Sequence, residues 1–346
     1  MNATANSTGS ADQIKYSVLD LATVIEGHTP VDTFRDSLKL AQHVEQAGYT
    51  RYWLAEHHNM MNVASSATSV LIGYIAGGTS KIRVGSGGIM LPNHAPLVVA
   101  EQFGTLGSLY PNRIDLGLGR APGTDQLTAL AIRGENFNVE HDFPGDIKRL
   151  QMFFSEENSN SKVQAIPGEG VNIPIWILGS SPESAMVAAE MGLPYAFASH
   201  FAPTHFMTAI QLYREHFKPS KYLSQPYVMA CVNVVAADTD EEATMLATSL
   251  QQFFLGVITG RRMLLQPPVQ SMDSLWAYYE KDAVERMLGY SFVGGPDTLH
   301  SKLASFVERS QVNEIMATTH VYNQQAKLKS YSIFADTVNR LNLVNA

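Results

Sequence analysis

Four short runs in this chain carry residue types that can do chemistry. The first is Glu56-His57-His58. An imidazole titrates near neutrality and can serve as general base or acid, and a neighbouring carboxylate can orient it. A structural pair of histidines bonded to backbone is the alternative, and the run alone does not decide between the two. A metal-dependent hydrolase using these three residues is a further rival, although the run lacks the spacing of His-Glu-x-x-His on a helix. The second run is Gly85-Ser86-Gly87-Gly88. Glycines inside an apolar stretch mark a bulge or a place where something approaches the backbone closely, including a flat ligand. The third is Arg120, set among Gly117, Gly119 and Gly123. Its guanidinium can hold a phosphate or carboxylate, or make a plain surface ion pair. The fourth is Gly179-Ser180-Ser181-Pro182-Glu183-Ser184. Ser181 can cap a helix starting at Pro182 with Ser184 in its first turn, and such an N-terminus suits an anion. An ordinary cap with Glu183 answering the helix dipole is the other reading.

These runs gain weight from the elements that carry them. Short apolar segments alternate with helical ones along the chain. Strands are expected at 16–22, 52–55, 82–91, 113–119, 175–178, 195–198, 227–235 and 314–317. Thr29-Pro30-Val31-Asp32 reads as a helix start, with Thr29 as cap, Pro30 in the first turn and Asp32 at the positive end. Helices are also expected near 67–77, 96–109, 181–191 and 296–308, and from Asp240, with an insertion over 261–279. Eight strand-then-helix units predict an α/β fold: a single-domain (β/α)8 TIM barrel with loop insertions over residues 16–346. An open doubly wound sheet is the alternative, but the first strand exits into Thr23-Val24-Ile25-Glu26-Gly27 without a Gly-x-Gly-x-x-Gly turn. In a barrel the active face is built from the loops after the strands, which is where the runs at Glu56, Arg120 and Ser181 fall, while Gly85 to Gly88 lie within the third strand.

Composition bounds the partners. A net charge of −8 argues against nucleic acid, which needs a basic face. No apolar run approaches the length of a membrane span. Residues 1–15 are polar, lack the apolar stretch of a secretory signal and read as a disordered leader, so a cytoplasmic location is expected. The single cysteine, Cys231, sits in an apolar run and reads as a buried small side chain. No thiolate metal site is available, and no metal is expected.

Together the motifs resemble those of the bacterial-luciferase-like flavin monooxygenases. The resemblance rests on Ala55-Glu56-His57-His58, Gly85 to Pro92, Arg113 to Arg120, Ile177 to Ser181, Glu190 to Pro194 and Phe292 to Pro296, in that order. It implies a barrel that binds reduced FMN as co-substrate. His57 matches the catalytic base at the flavin. Gly87-Gly88 matches a cis peptide beneath the isoalloxazine ring. Arg120 matches the arginine on the FMN phosphate, and Ser180, Ser181 and Ser184 match positions lining that phosphate. The resemblance further implies a small organic substrate, a separate flavin reductase and a homodimer. Two departures stand out: Gly119 replaces the reactive cysteine of the luciferase, and Ser180 replaces a glutamate. They point away from light emission and long-chain aldehydes, toward the luciferase-like oxidoreductases. An F420-dependent enzyme on the same fold, or a flavin-binding protein without catalysis, are the alternatives.

Overall fold

Residues 13–344 are described in the structure, a computed structural model. The leader expected over 1–15 lies outside them except for residues 13–15, and Lys15 already belongs to the first strand. The chain then alternates: β1 Lys15–Asp20, α1 Pro30–Gln46, β2 Arg51–Leu54, α2 Thr68–Gly77, β3 Arg83–Met90, α3 Pro96–Leu109, β4 Ile114–Gly119, α4 Gln126–Arg133, α5 Phe143–Phe153, β5 Ile175–Gly179. It continues with α6 Pro182–Met191, β6 Tyr195–Phe197, α7 Phe206–His216, β7 Val228–Ala236, α8 Asp240–Thr259, α9 Tyr278–Met287, β8 Ser291–Gly294, α10 Pro296–Ser310, β9 Glu314–Thr318 and α11 Gln324–Val344. Strands β1 to β6 pair in sequence, β6 pairs with β7, β7 with β9, and β9 with β1, all parallel. Eight strands therefore close on themselves with helices outside, the (β/α)8 barrel that the pattern predicts.

Local chemistry explains why the elements start where they do. At α1, Thr29 accepts from the Asp32 amide and Asp32 accepts from the Thr29 amide, a reciprocal cap in front of Pro30. At α8, Thr239 caps the Glu242 amide, and Asp240, Glu241 and Glu242 face the positive helix end. Three elements were not expected: helices α7 and α9 and strand β8, with α9 beginning at the end of the insertion expected over 261–279. Helix α7 lies in the stretch between β6 and β7 that the apolar periodicity left unassigned. Strand β8 pairs with the upper half of β7, Asn233 to Ala236, while the lower half pairs with β9. It is four residues long and runs straight into Gly295-Pro296, too short for alternation to show. The last predicted strand is therefore the ninth.

Side chains alternate between the two faces of each strand. Along β7, Ala230, Val232 and Val234 join the large core between strands and helices, while Met229 and Cys231 face into the barrel. The interior is packed, not hollow. Leu19, Trp53, Trp176, Met229 and Met316 fill its middle, with the two tryptophan rings edge-to-face at 5.2 Å. Cys231 is buried among them, and burial pushes its thiol well above the ordinary range. Below this plug lies an ionic floor. Arg51 donates to Glu314 (2.8 and 3.1 Å) and to Asp115 (2.8 Å), Arg83 to Asp115 (2.5 Å), and Tyr227 to Glu314 (2.8 Å). Both carboxylates are fully buried. At the opposite, C-terminal mouth, His57, His58, Ser180 and Ser181 are partly accessible and Arg120 is exposed.

Candidate active site

Strand β2 delivers Glu56, His57 and His58 to the mouth, and the structure separates their roles. Glu56 is almost fully buried. Its carboxylate takes hydrogen bonds from His58 (2.9 Å), His94 (2.9 Å) and the Met90 amide (2.9 Å). Burial by itself would raise the Glu56 pKa; the hydrogen bonds and charge of His94, with those of His58 and Met90, outweigh it and hold the group ionised. Glu56 is thus a clamp tying the β2 exit to the β3 exit, and it does not touch the His57 ring. His57 instead places Nδ1 at 3.2 Å from the Gly123 carbonyl. A carbonyl only accepts, so Nδ1 carries the proton and Nε2 of the neutral ring keeps its lone pair. Burial holds the His57 pKa below the free-imidazole value, so that neutral form is the resting one at pH 7.

Gly123 belongs to the loop after β4. Its φ of +67° is in the left-handed region, and a Cβ there would sit 2.9 Å from the Glu56 carbonyl. The same loop is pinned by Thr124 to the His58 carbonyl (3.0 Å), by Asn59 to Asp125 (3.2 Å) and by Asn93 to the Pro122 carbonyl (2.8 Å). Arg120, at the start of this loop, is exposed and has no hydrogen-bond or ion-pair partner among the described residues. Its charge reaches the N-terminus of α6.

Helix α6 begins at Pro182 as expected, but Ser181 does not cap it with its side chain. Glu183 fills the role in part. The Ser181 hydroxyl and the residue's own amide hold the Glu183 carboxyl below its usual range, with a smaller pull from Arg120. An exposed carboxylate therefore already stands at this positive end, as an anion would. Ser180 and Ser181 are half-buried beside it. The Ser184 hydroxyl is committed elsewhere, 2.7 Å from the Ser181 carbonyl and 2.9 Å from the Tyr195 hydroxyl, so its backbone amide is what the first turn can offer a ligand.

Along β3 the peptide Gly87–Gly88 is cis, and the pairing with β4 shifts register between Ser86 and Ile89. A Cβ on Gly88 would lie 2.7 Å from the Gly117 carbonyl, and one on Gly87 would lie 2.7 Å from Leu19. The close approach read from these glycines is thus made first by the neighbouring strand and the barrel plug. Gly87 alone of the pair is partly accessible.

Two mouth residues escaped the sequence reading: His200, after β6, and His320, after β9. The rule that singled out Glu56-His57-His58, polar residues just past a strand end, applies equally to Ser199-His200 and Thr319-His320. Both histidines are buried, and Nδ1 of His200 and both ring nitrogens of His320 have no hydrogen-bond partner among the described residues. Burial, with the nearby His320 and His57, lowers His200 to about 3; burial and Lys327 lower His320 to about 3, against a small opposing pull from Asp20. The unfolded chain takes up protons on both rings near pH 6.5, whereas the folded chain refuses them until about pH 3. Stability is therefore expected to fall as pH drops below 6.5, by on the order of 3 kcal/mol per pH unit for the two rings together. Urea unfolding between pH 7 and pH 5 measures this; a level free energy across that interval contradicts it.

The insertion at 261–279 is stitched down rather than loose: the Leu265 amide donates to the Val24 carbonyl, and the Glu26 amide to the Leu265 carbonyl, each at 2.9 Å. It carries Arg262 to the His57 side of the mouth. Among the described residues, no group of three or more His, Cys, Asp or Glu is placed to hold a metal ion, and no helix is long and apolar enough to cross a membrane.

A family model for luciferase-like monooxygenases matches residues 14–313. The chain is 54% identical over 321 residues to the uncharacterized protein YvbT of Bacillus subtilis (strain 168), covering 92% of this chain and 95% of that one. It is 48% identical over 328 residues to a luciferase-like monooxygenase of Escherichia coli (strain K12), with 95% and 98% covered. The solved structure of apo-MsnO8 superposes with a TM-score of 0.84 at 32% identity, over 94% of this chain and 99% of that one. Two remoter structures share the fold. The oxygenating constituent of 3,6-diketocamphane monooxygenase from Pseudomonas putida, in complex with FMN, has a TM-score of 0.70 at 17% identity, with 94% and 97% covered. An F420-dependent secondary alcohol dehydrogenase has 0.68 at 14%, with 94% and 99% covered.

Proposed function

The chain belongs to the luciferase-like monooxygenase family, and on that premise we propose that it is the FMN-dependent oxygenase component of a two-component system acting on a small organic substrate. One observation carries the reading. An unpartnered guanidinium, Arg120, and a helix N-terminus without a side-chain cap converge on one edge of the mouth, while the free Nε2 of His57 belongs to the same mouth. That edge fits a phosphate, with Glu183 swinging aside to admit it. Arg120 and the amides of Ser181 to Ser184 bind the anion, and the hydroxyls of Ser180 and Ser181 add donors. Gly87, the partly accessible one of the Gly87–Gly88 pair, leaves β3 without a side chain where a flat ring can rest, and Gly88 lets β4 pack close behind it. When bound, reduced FMN supplies the electrons that activate O2. His57 accepts or returns a proton at Nε2, and the packed plug of Leu19, Trp53 and Trp176 keeps water from entering beneath. A separate reductase supplies the reduced flavin, since no nicotinamide motif is present; the description of the Pseudomonas putida protein as an oxygenating constituent supports that division of labour. We also propose a homodimer, which sedimentation velocity tests.

Arg120→Ala is expected to weaken FMN binding about 10- to 100-fold, the loss of a charge-assisted contact worth about 1.5–3 kcal/mol. Fluorescence titration with oxidised FMN, and anaerobically with reduced FMN, reads this directly. Unchanged affinity in both Arg120→Ala and Ser181→Ala would sink the phosphate assignment. Tighter binding of F420 than of FMN by the unaltered protein would make it a deazaflavin enzyme. Substrate-dependent oxygen uptake separates an oxygenase from a passive flavin carrier.

A further inference from the structure

We propose that His200, Asn233 and His320 form a subsite for an uncharged polar group of the substrate that both donates and accepts hydrogen bonds, such as a carboxamide. It rests on the barrel mouth being the active site. The three residues lie on, or just past, the adjacent strands β6, β7 and β9. Asn233 follows Cys231 by two on β7, His320 follows Thr318 by two after β9, and Asn233 and Thr318 are register partners. His200 joins them through its carbonyl, which accepts from Asn233 Nδ2 at 2.6 Å. That bond, with a second to Ser291 Oγ at 3.2 Å, fixes the amide so that Oδ1 is left over. Four buried atoms of these residues have no partner among the described residues: Asn233 Oδ1, His200 Nδ1, and His320 Nδ1 and Nε2. Asn233 is 1% exposed, His320 2% and His200 7%. Native interiors rarely leave such atoms unpaired, and a cluster of them facing a mouth marks where a ligand completes the bonding.

Charge narrows the ligand. Burial keeps both imidazoles neutral at pH 7, so the rings offer an anion no charge, and Lys327, the cation whose charge reaches His320, is paired with Asp20 at 3.9 Å. A cation meets no free carboxylate, because Glu56 is held by His58 and His94, and Asp20 turns outward to Ser37 and Tyr52. A neutral imidazole offers one N–H and one lone pair, and Asn233 Oδ1 offers an acceptor. A group with both an N–H or O–H and a carbonyl answers them together. The Phe253 ring, 4.3 Å from the His320 ring, adds an apolar wall for the rest of the molecule.

The test uses four probes of one shape: benzamide, toluene, benzoate and benzylamine, titrated calorimetrically into the full-length protein at pH 7.5. Benzamide is expected to bind about 30-fold more tightly than each of the others, the worth of two hydrogen bonds. In His320→Phe the preference is lost while the melting temperature rises by a few degrees, because a ring with two unpaired nitrogens is replaced by one that needs none. A structural role for His320 predicts the opposite shift. His200→Phe is the second variant and is expected to lose the preference as well. A lowered melting temperature in His320→Phe, equal binding of benzamide and toluene, or binding of no probe overturns the subsite. FMN titration of the same samples separates the two readings. Failure of the unaltered protein to bind FMN counts against the flavin assignment; intact FMN binding without a benzamide preference counts against the subsite alone.

Discussion

His57→Ala is expected to slow proton transfer at the reacting centre about 10²- to 10⁴-fold, the usual worth of a positioned general base. FMN affinity should change by less than about threefold, because Arg120 and the α6 terminus lie on other strands and make their contacts independently. Stopped-flow absorbance of the reoxidation of protein-bound reduced FMN by O2 gives the rate, and fluorescence titration gives the affinity. The pH profile adds a signature that a structural role would not produce. Since His57 is held below the free-imidazole value of 6.5, the unaltered rate stays level through neutrality and falls only as pH drops below that value. The variant should show no such limb. Added imidazole should restore part of the rate by entering the vacated space. Identical reoxidation kinetics in the two proteins, at every pH, would remove His57 from the mechanism.

Arg51→Met is expected to cost about 3–5 kcal/mol of folding stability, the penalty for leaving buried charge without its partner. Arg51 is the centre of the floor. Burial alone would lower its pKa; Glu314 and Asp115 outweigh burial and keep the guanidinium charged. Burial likewise would raise Asp115, and Arg51 and Arg83 bring it below its ordinary value. Without Arg51, Glu314 retains only the hydroxyls of Ser17 and Tyr227, and Asp115 retains Arg83 and the Trp53 indole. Urea denaturation at pH 7 measures the loss. A companion variant carrying Arg51→Met and Glu314→Gln should recover part of it, because the stranded charge is gone. A loss below about 1 kcal/mol in the single variant would mean that water reaches the floor. FMN binding should survive at temperatures well below the melting point, since the floor and the mouth lie at opposite ends of the barrel.

Much of the architecture was legible along the chain because it depends on near neighbours. Thr29, Pro30 and Asp32 make a helix start within four residues, and the cap forms as expected. Strand alternation shows within one strand, and the position of Glu56-His57-His58 and Arg120 just past strand ends needs only the strand ends themselves. Helix α7 and strand β8 lacked that local signature, the first because its apolar spacing did not stand out and the second because it is so short.

Pairing across the barrel is a different matter. Nothing near Glu56 announces that its carboxylate meets His94, 38 residues away, or that Gly123 will set the tautomer of His57 from 66 residues away. Arg51, Asp115 and Glu314 read along the chain as three scattered charges near strand starts; only closure of β1 onto β9 makes them one network. His200 and His320 are the sharpest case. Their residue types and strand exits are visible in sequence, but their lack of any partner is a property of everything packed around them. Periodicity and strand ends thus place Glu56, His57, His58, Arg120 and Ser181 at the mouth from the chain alone. The tertiary structure alone decided which of them are already paired and which still need a partner, because hydrogen bonds between strand ends depend on the register and closure of the whole sheet.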